Sequence, residues 1–84
     1  MEMSELLGMF DPSLCRAARG LLGWSQAELA ERAHISRSTV IDFERGARRP
    51  MRNNLTAMVR TLEEGGVTFI LPSEEGGVGV RWSK

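Results

Sequence analysis

The sequence predicts a mainly α domain of about four helices followed by a C-terminal β-hairpin. Two observations predict the helices: apolar residues recur at helical spacing, and each such segment follows a residue suited to start a helix. The third observation predicts the hairpin, because two short β-prone segments flank a Pro72–Gly77 loop. With 84 residues, 26% of them charged, the chain has the size and composition of one ordinary globular domain.

The first predicted helix covers residues 12–22. Asp11 supplies a capping oxygen, Pro12 suits the first helical position, and Gly23 ends the segment. Residues 1–10 are predicted to be an N-terminal tail, whose apolar side chains either dock on the domain or stay loose. These side chains are Leu6, Leu7, Met9 and Phe10.

The second and third helices follow each other closely. Ser25 and Glu28 form a capping box at the start of a helix over residues 26–33, in which the serine accepts from the Glu28 amide and the carboxylate reaches back. Ser36 caps a third helix that continues to Arg45 and stops at Gly46. Helices joined by so short a turn cross steeply, so residues 25–45 predict a helix-turn-helix.

A fourth helix and two strands complete the predicted domain. The helix begins after Pro50, covers residues 51–64 and ends at Gly65-Gly66. The strands cover residues 67–71 and 78–82. The predicted organisation is therefore a tail over 1–10, a helix-turn-helix domain over 11–66 and a hairpin over 67–84.

The charges are unevenly distributed although the formal net charge is zero. Six arginines lie between residues 37 and 60, against only Asp42 and Glu44 in the same region. This asymmetry predicts a positive face that can contact a phosphate backbone. Cys15 is the single cysteine and is interpreted as a small buried side chain, so we expect no disulfide and no metal site.

The run WSQAELAERAHISRSTVIDFERGARRP, residues 24–50, resembles the Xre-type, lambda-repressor-like helix-turn-helix family. The resemblance covers about 50 residues, from the first helix through the fourth, and its three sub-motifs occur at the family's separations. It implies a bacterial transcriptional regulator that binds double-stranded DNA. A cytoplasmic location is the default expectation, because the first five residues carry acids where a secretory signal would carry bases. His34 departs from the glycine usual in the turn, a position that tends to need a positive φ.

The third helix carries the candidate DNA-reading face. At 100° per residue, Val40, Phe43 and Glu44 share the arc facing the core, and the opposite arc carries a mixed polar and aliphatic set. In a major groove, arginine matches guanine, aspartate matches the cytosine amine and isoleucine matches the thymine methyl. The predicted base contacts are Arg37, Ser38, Ile41 and Asp42; the resemblance implies 37, 38 and 42 as the principal readers.

Further polar residues are predicted to contact phosphate. Gln26 begins the second helix, where free N–H groups favour an anion, and three arginines surround the entrance to the fourth helix. The predicted phosphate contacts are Gln26, Thr39, Arg45, Arg48, Arg49 and Arg52. The resemblance also implies that Arg19 and Glu44 form a structural pair that orients the third helix.

The sequence favours a homodimer, because one short helix reads few base pairs and a two-fold dimer reads two half-sites. The hairpin is the predicted dimerisation element, with Val67, Phe69 and Leu71 on one face and Val78, Val80 and Trp82 on another. The alternative is that the hairpin packs on its own helices.

The predicted function is sequence-specific regulation of transcription at a palindromic operator. The alternative is a protein-interaction module, such as an antitoxin or an anti-activator, built on the same fold. The nucleophile candidates, Cys15 and scattered serines, have no base other than His34, and a phosphate-binding loop is missing. We therefore expect no enzymatic activity and no cofactor, and no segment approaches the length of a membrane span.

Overall fold

The computed structural model describes residues 2–84 and contains five helices and a two-stranded antiparallel sheet. The mainly α architecture with a terminal hairpin is confirmed, with one more helix than predicted. The elements in chain order are α1 (Met3–Met9), α2 (Pro12–Leu22), α3 (Gln26–Ala33), α4 (Arg37–Glu44), α5 (Arg52–Gly65), β1 (Val67–Ile70) and β2 (Gly79–Trp82).

Three side-chain caps start the central helices where the sequence predicts them. The backbone N–H of Leu14 donates to Asp11 Oδ1 at 2.8 Å, and that of Glu28 donates to Ser25 Oγ at 3.0 Å. Ser36 Oγ accepts in the same way from the Thr39 amide at 3.1 Å. Each cap satisfies an N–H group that the first turn of a helix would leave without an intrahelical partner.

The second half of the predicted capping box is wrong. The Glu28 carboxylate does not reach back to the start of α3 but accepts two hydrogen bonds from Arg32, at 2.9 and 3.1 Å. Arg32 lies one helical turn further along the same exposed face, where an oppositely charged side chain is a ready partner.

The turn between α3 and α4 has the conformation predicted for His34. Its backbone is left-handed, with φ 59° and ψ 43°, and it is the one non-glycine residue of the described chain with a positive φ. Its N–H and that of Ile35 donate to carbonyls in the last turn of α3, at 3.3 and 3.0 Å. The reversal lets α4 start with only three residues between it and the end of α3.

The N-terminal tail docks on the domain, which is one of the two alternatives that the sequence left open, and it contains a helix that the sequence did not predict. Residue 1 lies outside the residues that the structure describes, whereas residues 3–9 form α1. Leu6, Leu7 and Phe10 are buried in the core, and Met9 is exposed. The Phe10 ring stacks on Phe43 of α4 at a centroid distance of 5.4 Å and meets Phe69 of β1 edge-on at 5.6 Å. These contacts dock α1, because burying an aromatic ring this completely is worth several kcal/mol.

The hairpin packs on the helices of its own chain, which is the alternative that the sequence left open. β1 pairs with β2 in a register that sets Val67 opposite Trp82 and Phe69 opposite Val80. Directly opposed residues share a face, so the predicted separation of these side chains onto two faces is wrong. Val67 and Phe69 are 1% exposed, and Val80 packs against the same core.

The end of α5 packs closely against Trp24, which lies between α2 and α3. A Cβ atom on Gly65 would lie 2.6 Å from the indole of Trp24, so only glycine fits there without a shift. The guanidinium of Arg32 lies 4.4 Å from the centre of the same indole. No helix within residues 2–84 has the length and hydropathy needed to cross a bilayer.

Candidate nucleic-acid interface

Helix α4 has a buried side and an outer side. Val40, Phe43 and Glu44 are at most 4% exposed, which confirms the predicted inner arc. On the outer side Arg37 and Ser38 are exposed, while Ile41 and Asp42 are half-buried. The predicted base-contacting residues therefore share one accessible surface.

The buried carboxylate of Glu44 is bound by side chains from two other helices. Arg19 of α2 donates from Nε to Oε2 at 2.7 Å and from Nη2 to Oε1 at 2.6 Å. Gln26 of α3 donates to Oε1 at 3.0 Å, and the Cys15 thiol lies 2.9 Å from Oε2. Among residues 2–84 no buried side-chain nitrogen or oxygen is left without a partner. This cluster, which we call the Glu44 network, consists of Cys15, Arg19, Gln26 and Glu44.

The electrostatics of the Glu44 network keep the carboxylate charged. Burial alone would raise the pKa of Glu44, but the hydrogen bonds from Arg19, Cys15 and Gln26 outweigh burial and lower that pKa below its ordinary value. Burial, with the hydrogen bond to the carboxylate, raises the pKa of the Cys15 thiol. The thiol therefore stays protonated and serves as a donor.

The Glu44 network orients α4 relative to the other two helices. Arg19 also donates to the carbonyl of Trp24 at 2.9 Å, and Arg16 donates to the main-chain carbonyl of Glu44. The predicted pairing of Arg19 with Glu44 is present in the structure. The sequence did not reveal Cys15 and Gln26 as further members, because a lone thiol or amide has no sequence signature for a partner in another helix.

The outer side of α4 carries one free cation and one ion pair. Within residues 2–84 the Arg37 guanidinium makes no hydrogen bond or salt bridge. Asp42 accepts from Arg45 one turn later, with Oδ1 at 3.2 Å from Nε and 3.1 Å from Nη2. A residue predicted to read a base and a residue predicted to bind phosphate are thus paired with each other before any DNA is bound.

A concave site beside α4 brings hydroxyl, amide and guanidinium groups together. We call it the α4–α5 cleft; it has a volume of about 270 Å³. Its lining residues are Ser38, Thr39, Asp42, Arg48, Arg49, Pro50, Met51 and Asn54. Sequence reasoning missed Met51, which is 74% exposed, and Asn54. The sequence feature that could have revealed both residues is their position at the first turn of α5, next to three arginines.

The predicted phosphate-contacting residues differ in whether their side chains already donate to other helices or loops of the domain. Arg48 makes no side-chain hydrogen bond within residues 2–84, and Thr39 shares a hydrogen bond with Ser36 at 2.7 Å. The Gln26 amide donates inward to Glu44, where the sequence predicted it to face a phosphate. The Arg49 guanidinium donates to the carbonyls of Phe10 and Leu7 at 3.2 and 2.7 Å, and Arg52 donates to Ser4 Oγ at 2.8 Å.

The geometry defines a class of protein. Helix α4 is short, and its inner side is bound to two neighbouring helices. Its outer side presents unpaired donors next to an arginine-rich loop. This arrangement is that of the reading helix in a DNA-binding helix-turn-helix domain. The helix-turn-helix family model matches residues 16–66. The chain belongs to this family, in its Xre-type, lambda-repressor-like form, and is a DNA-binding helix-turn-helix regulator.

The family match covers α3, α4 and α5 with most of α2, and leaves out α1 and the hairpin. No curated protein sequence matches the chain. Among residues 2–84 no three His, Cys, Asp or Glu side chains come together as a metal site would require.

Proposed function

We propose that this protein is a sequence-specific repressor or autoregulator that binds a palindromic operator as a homodimer, in the cytoplasm of a bacterium. The observation that carries the proposal is the outer side of α4, where Arg37 and Ser38 are exposed while Glu44 anchors the inner side. An α-helix fits the major groove by width, and a helix held at a fixed angle presents the same side chains to the same bases.

Each residue of the outer side has a chemical counterpart in the groove. Arg37 is free to donate two hydrogen bonds to guanine O6 and N7. Ile41 offers a methyl-bearing surface to a thymine methyl, and Ser38 donates or accepts. Asp42 accepts from a cytosine amine, and its pairing with Arg45 offsets the repulsion between its carboxylate and nearby phosphates.

The α4–α5 cleft supports a separate role for the residues around it. Arg48 and Asn54 offer donors to a phosphate next to the bases that α4 reads. Such contacts set the register of the protein on the duplex and raise affinity for any sequence. We propose that Thr39 and Arg45 contribute to the same backbone contacts from α4.

The dimer proposal now depends on residues at the surface of the hairpin. Val67 and Phe69 are enclosed by their own helices and are not available to a second copy. Val78 and Trp82 remain exposed, by 37% and 49%, and we propose that they contact the second copy together with half-buried Leu71. Ile70 is also exposed, but it pairs with Gly79 and lies on the opposite face of the hairpin from Trp82. Two copies related by a two-fold axis would place their α4 helices in half-sites about 34 Å apart.

A binding-site selection on random DNA tests the function, followed by binding of Arg37→Ala to every single-base-pair variant of the selected site. We expect a palindromic site. We also expect Arg37→Ala to lose about 1–3 kcal/mol of discrimination at the base pairs that Arg37 contacts, and to keep the wild-type discrimination at the other base pairs. A uniform loss over all variants would make Arg37 a backbone contact instead of a reader.

The dimer is tested by light scattering on the full chain and on Trp82→Glu and Arg81→Glu. Truncation at Gly66 is a poor test, because it would remove Val67 and Phe69 from the core. We expect Trp82→Glu to give a monomer and Arg81→Glu, a neighbouring exposed position, to stay dimeric. A dimer in both variants would move the interface away from Trp82.

The exposed apolar residues of the hairpin also favour a second candidate, a protein-interaction module such as an antitoxin or anti-activator. The two functions differ in one measurement. A regulator binds its selected duplex alone as a homodimer, whereas an interaction module stays monomeric and binds another protein through Val78 and Trp82.

A further inference from the structure

A second groove lies on the side of the α4–α5 cleft that faces α1. It has a volume of about 260 Å³ and is lined by Ser4, Leu7, Gly8, Arg49, Pro50, Arg52 and Leu55. We call it the α1 groove. Arg49 and Pro50 line both concavities, so the two form one continuous surface.

The α1 groove is positively charged. Two of its lining side chains are arginines, and none of the lining residues is acidic. The partners of Arg49 are the carbonyls of Leu7 and Phe10, and the partner of Arg52 is the hydroxyl of Ser4. All three partners are neutral, so they orient the two guanidinium groups without cancelling their charge.

Arg49 and Arg52 keep N–H donors that are free to bind another group, although both side chains are oriented by the N-terminal segment. A guanidinium group has five N–H donors in a fixed plane, and Arg49 and Arg52 use only part of theirs. Because the side chains are already held, an anion entering the groove orders them less than it would order free arginines, which favours binding.

We infer that the α1 groove binds a second phosphate of the DNA backbone, beyond the bases that α4 reads. This inference rests on the proposed function and deepens it, because the partner is the same duplex. It assigns a DNA-binding role to α1, which lies outside the residues matched by the family. Continuity with the α4–α5 cleft and the net charge of its lining identify the occupant as the neighbouring phosphodiester.

A gain of charge tests the inference without breaking a contact. Gly8 is an exposed helical residue, and a Cβ atom there meets nothing within 4 Å. Gly8→Arg adds a cation at the groove and improves helix propensity. Gly20→Arg is the matched control, because Gly20 is also an exposed helical glycine with open space around it, but lies in α2 outside the groove.

The measurement is the affinity for a mixed-sequence duplex of about three helical turns, titrated at several salt concentrations. We expect the log–log salt slope of Gly8→Arg to be steeper than that of Gly20→Arg by about 0.9, and its affinity to be about five- to tenfold higher near 0.1 M salt. Equal slopes and affinities in the two variants would overturn the inference.

Adding a negative charge to the α1 groove provides the opposite test. Ser4→Asp places a carboxylate against Arg52, and Ser83→Asp makes the same change at an exposed serine at the other end of the chain. We expect Ser4→Asp to flatten the salt slope by about 0.9 relative to Ser83→Asp. A slope equal to that of the control would contradict a phosphate in this groove.

The outcomes separate this inference from the proposed function. If the wild-type protein binds duplex DNA and both Gly8→Arg and Ser4→Asp behave like their controls, the α1 groove is not a phosphate site and the proposed function stands. If the wild-type protein binds no duplex at any salt concentration, both are overturned.

Discussion

The two sides of α4 use polar side chains in opposite ways. On the inner side, Glu44 is buried and accepts from Arg19, Gln26 and Cys15, so each of its oxygens has partners. On the outer side, the Arg37 side chain makes no hydrogen bond or ion pair within residues 2–84, and Asp42 has only an exposed partner in Arg45. Satisfied groups on one side fix the position of the helix, and free groups on the other remain available to DNA.

Rigidity and recognition are therefore located on opposite sides of one short helix in this small domain. A reading helix is useful only if its angle is held, because a shift of about an ångström misplaces a hydrogen bond to a base edge. The buried network provides this constraint at the last turn of α4, away from Arg37 and Ser38 at its first turn. Recognition residues can then vary without loss of the fold.

The largest expected effect is on the inner side. Glu44→Ala leaves Arg19 without its buried partner, and we expect a loss of about 3–5 kcal/mol in the free energy of unfolding. Glu28→Ala removes an equivalent carboxylate from an exposed pair, whose side chains are 39% and 51% exposed, and should cost less than about 1 kcal/mol. Urea denaturation of both variants measures the contrast; similar losses would mean that burial of the Glu44 network contributes nothing.

The inner side should also make stability depend on pH. The pKa of Glu44 is lowered in the folded protein, so its stabilising contribution is complete above the unfolded value of about 4.5 and is lost as the pH falls through the lower folded value. We expect wild-type stability to fall in this acid range and the slope to be shallower in Glu44→Gln. Unfolding curves between about pH 2 and pH 6 test this. An unchanged slope in the variant would assign the acid sensitivity to other carboxylates.

On the outer side the expected effect on stability is smaller. Asp42→Asn removes the charge from a pair that is mostly exposed, and we expect a change of less than about 1 kcal/mol in the free energy of unfolding. The same variant should change binding at a base pair that Asp42 reads. A thermal unfolding scan and a titration with the selected duplex separate the two effects; a large loss of stability would place Asp42 with the inner side.

Arg37→Ala should have the smallest effect on stability, within about 0.5 kcal/mol, because the side chain is exposed and makes no hydrogen bond or ion pair within residues 2–84. Calorimetry of the wild type and the variant measures this. A loss comparable with that of Glu44→Ala would mean that the outer side also supports the fold.

The helix starts were predictable from the sequence because their causes are local. The caps of α2, α3 and α4 join residues three apart, and the left-handed conformation of His34 completes a turn within the same short segment. The two arcs of α4 were predictable for a similar reason, since helical periodicity sorts eight consecutive residues by burial.

The remaining features depend on contacts between distant residues. The sequence did not predict α1, because its docking depends on Phe10 meeting Phe43 and Phe69 in other elements. The thiol of Cys15 meets a carboxylate 29 residues away, and Arg49 caps carbonyls 39 and 42 residues away. Both arginine and cysteine have several common roles, and only the fold selects one.

The central claim is that the outer side of α4 reads a duplex while the Glu44 network holds the helix in place. The most direct test is competition between the selected duplex and a scrambled duplex of equal length and composition for the purified protein at about 0.15 M salt. We expect at least a thousandfold preference for the selected duplex, in the range of specific DNA-binding proteins. Equal affinity for the two duplexes would contradict this claim.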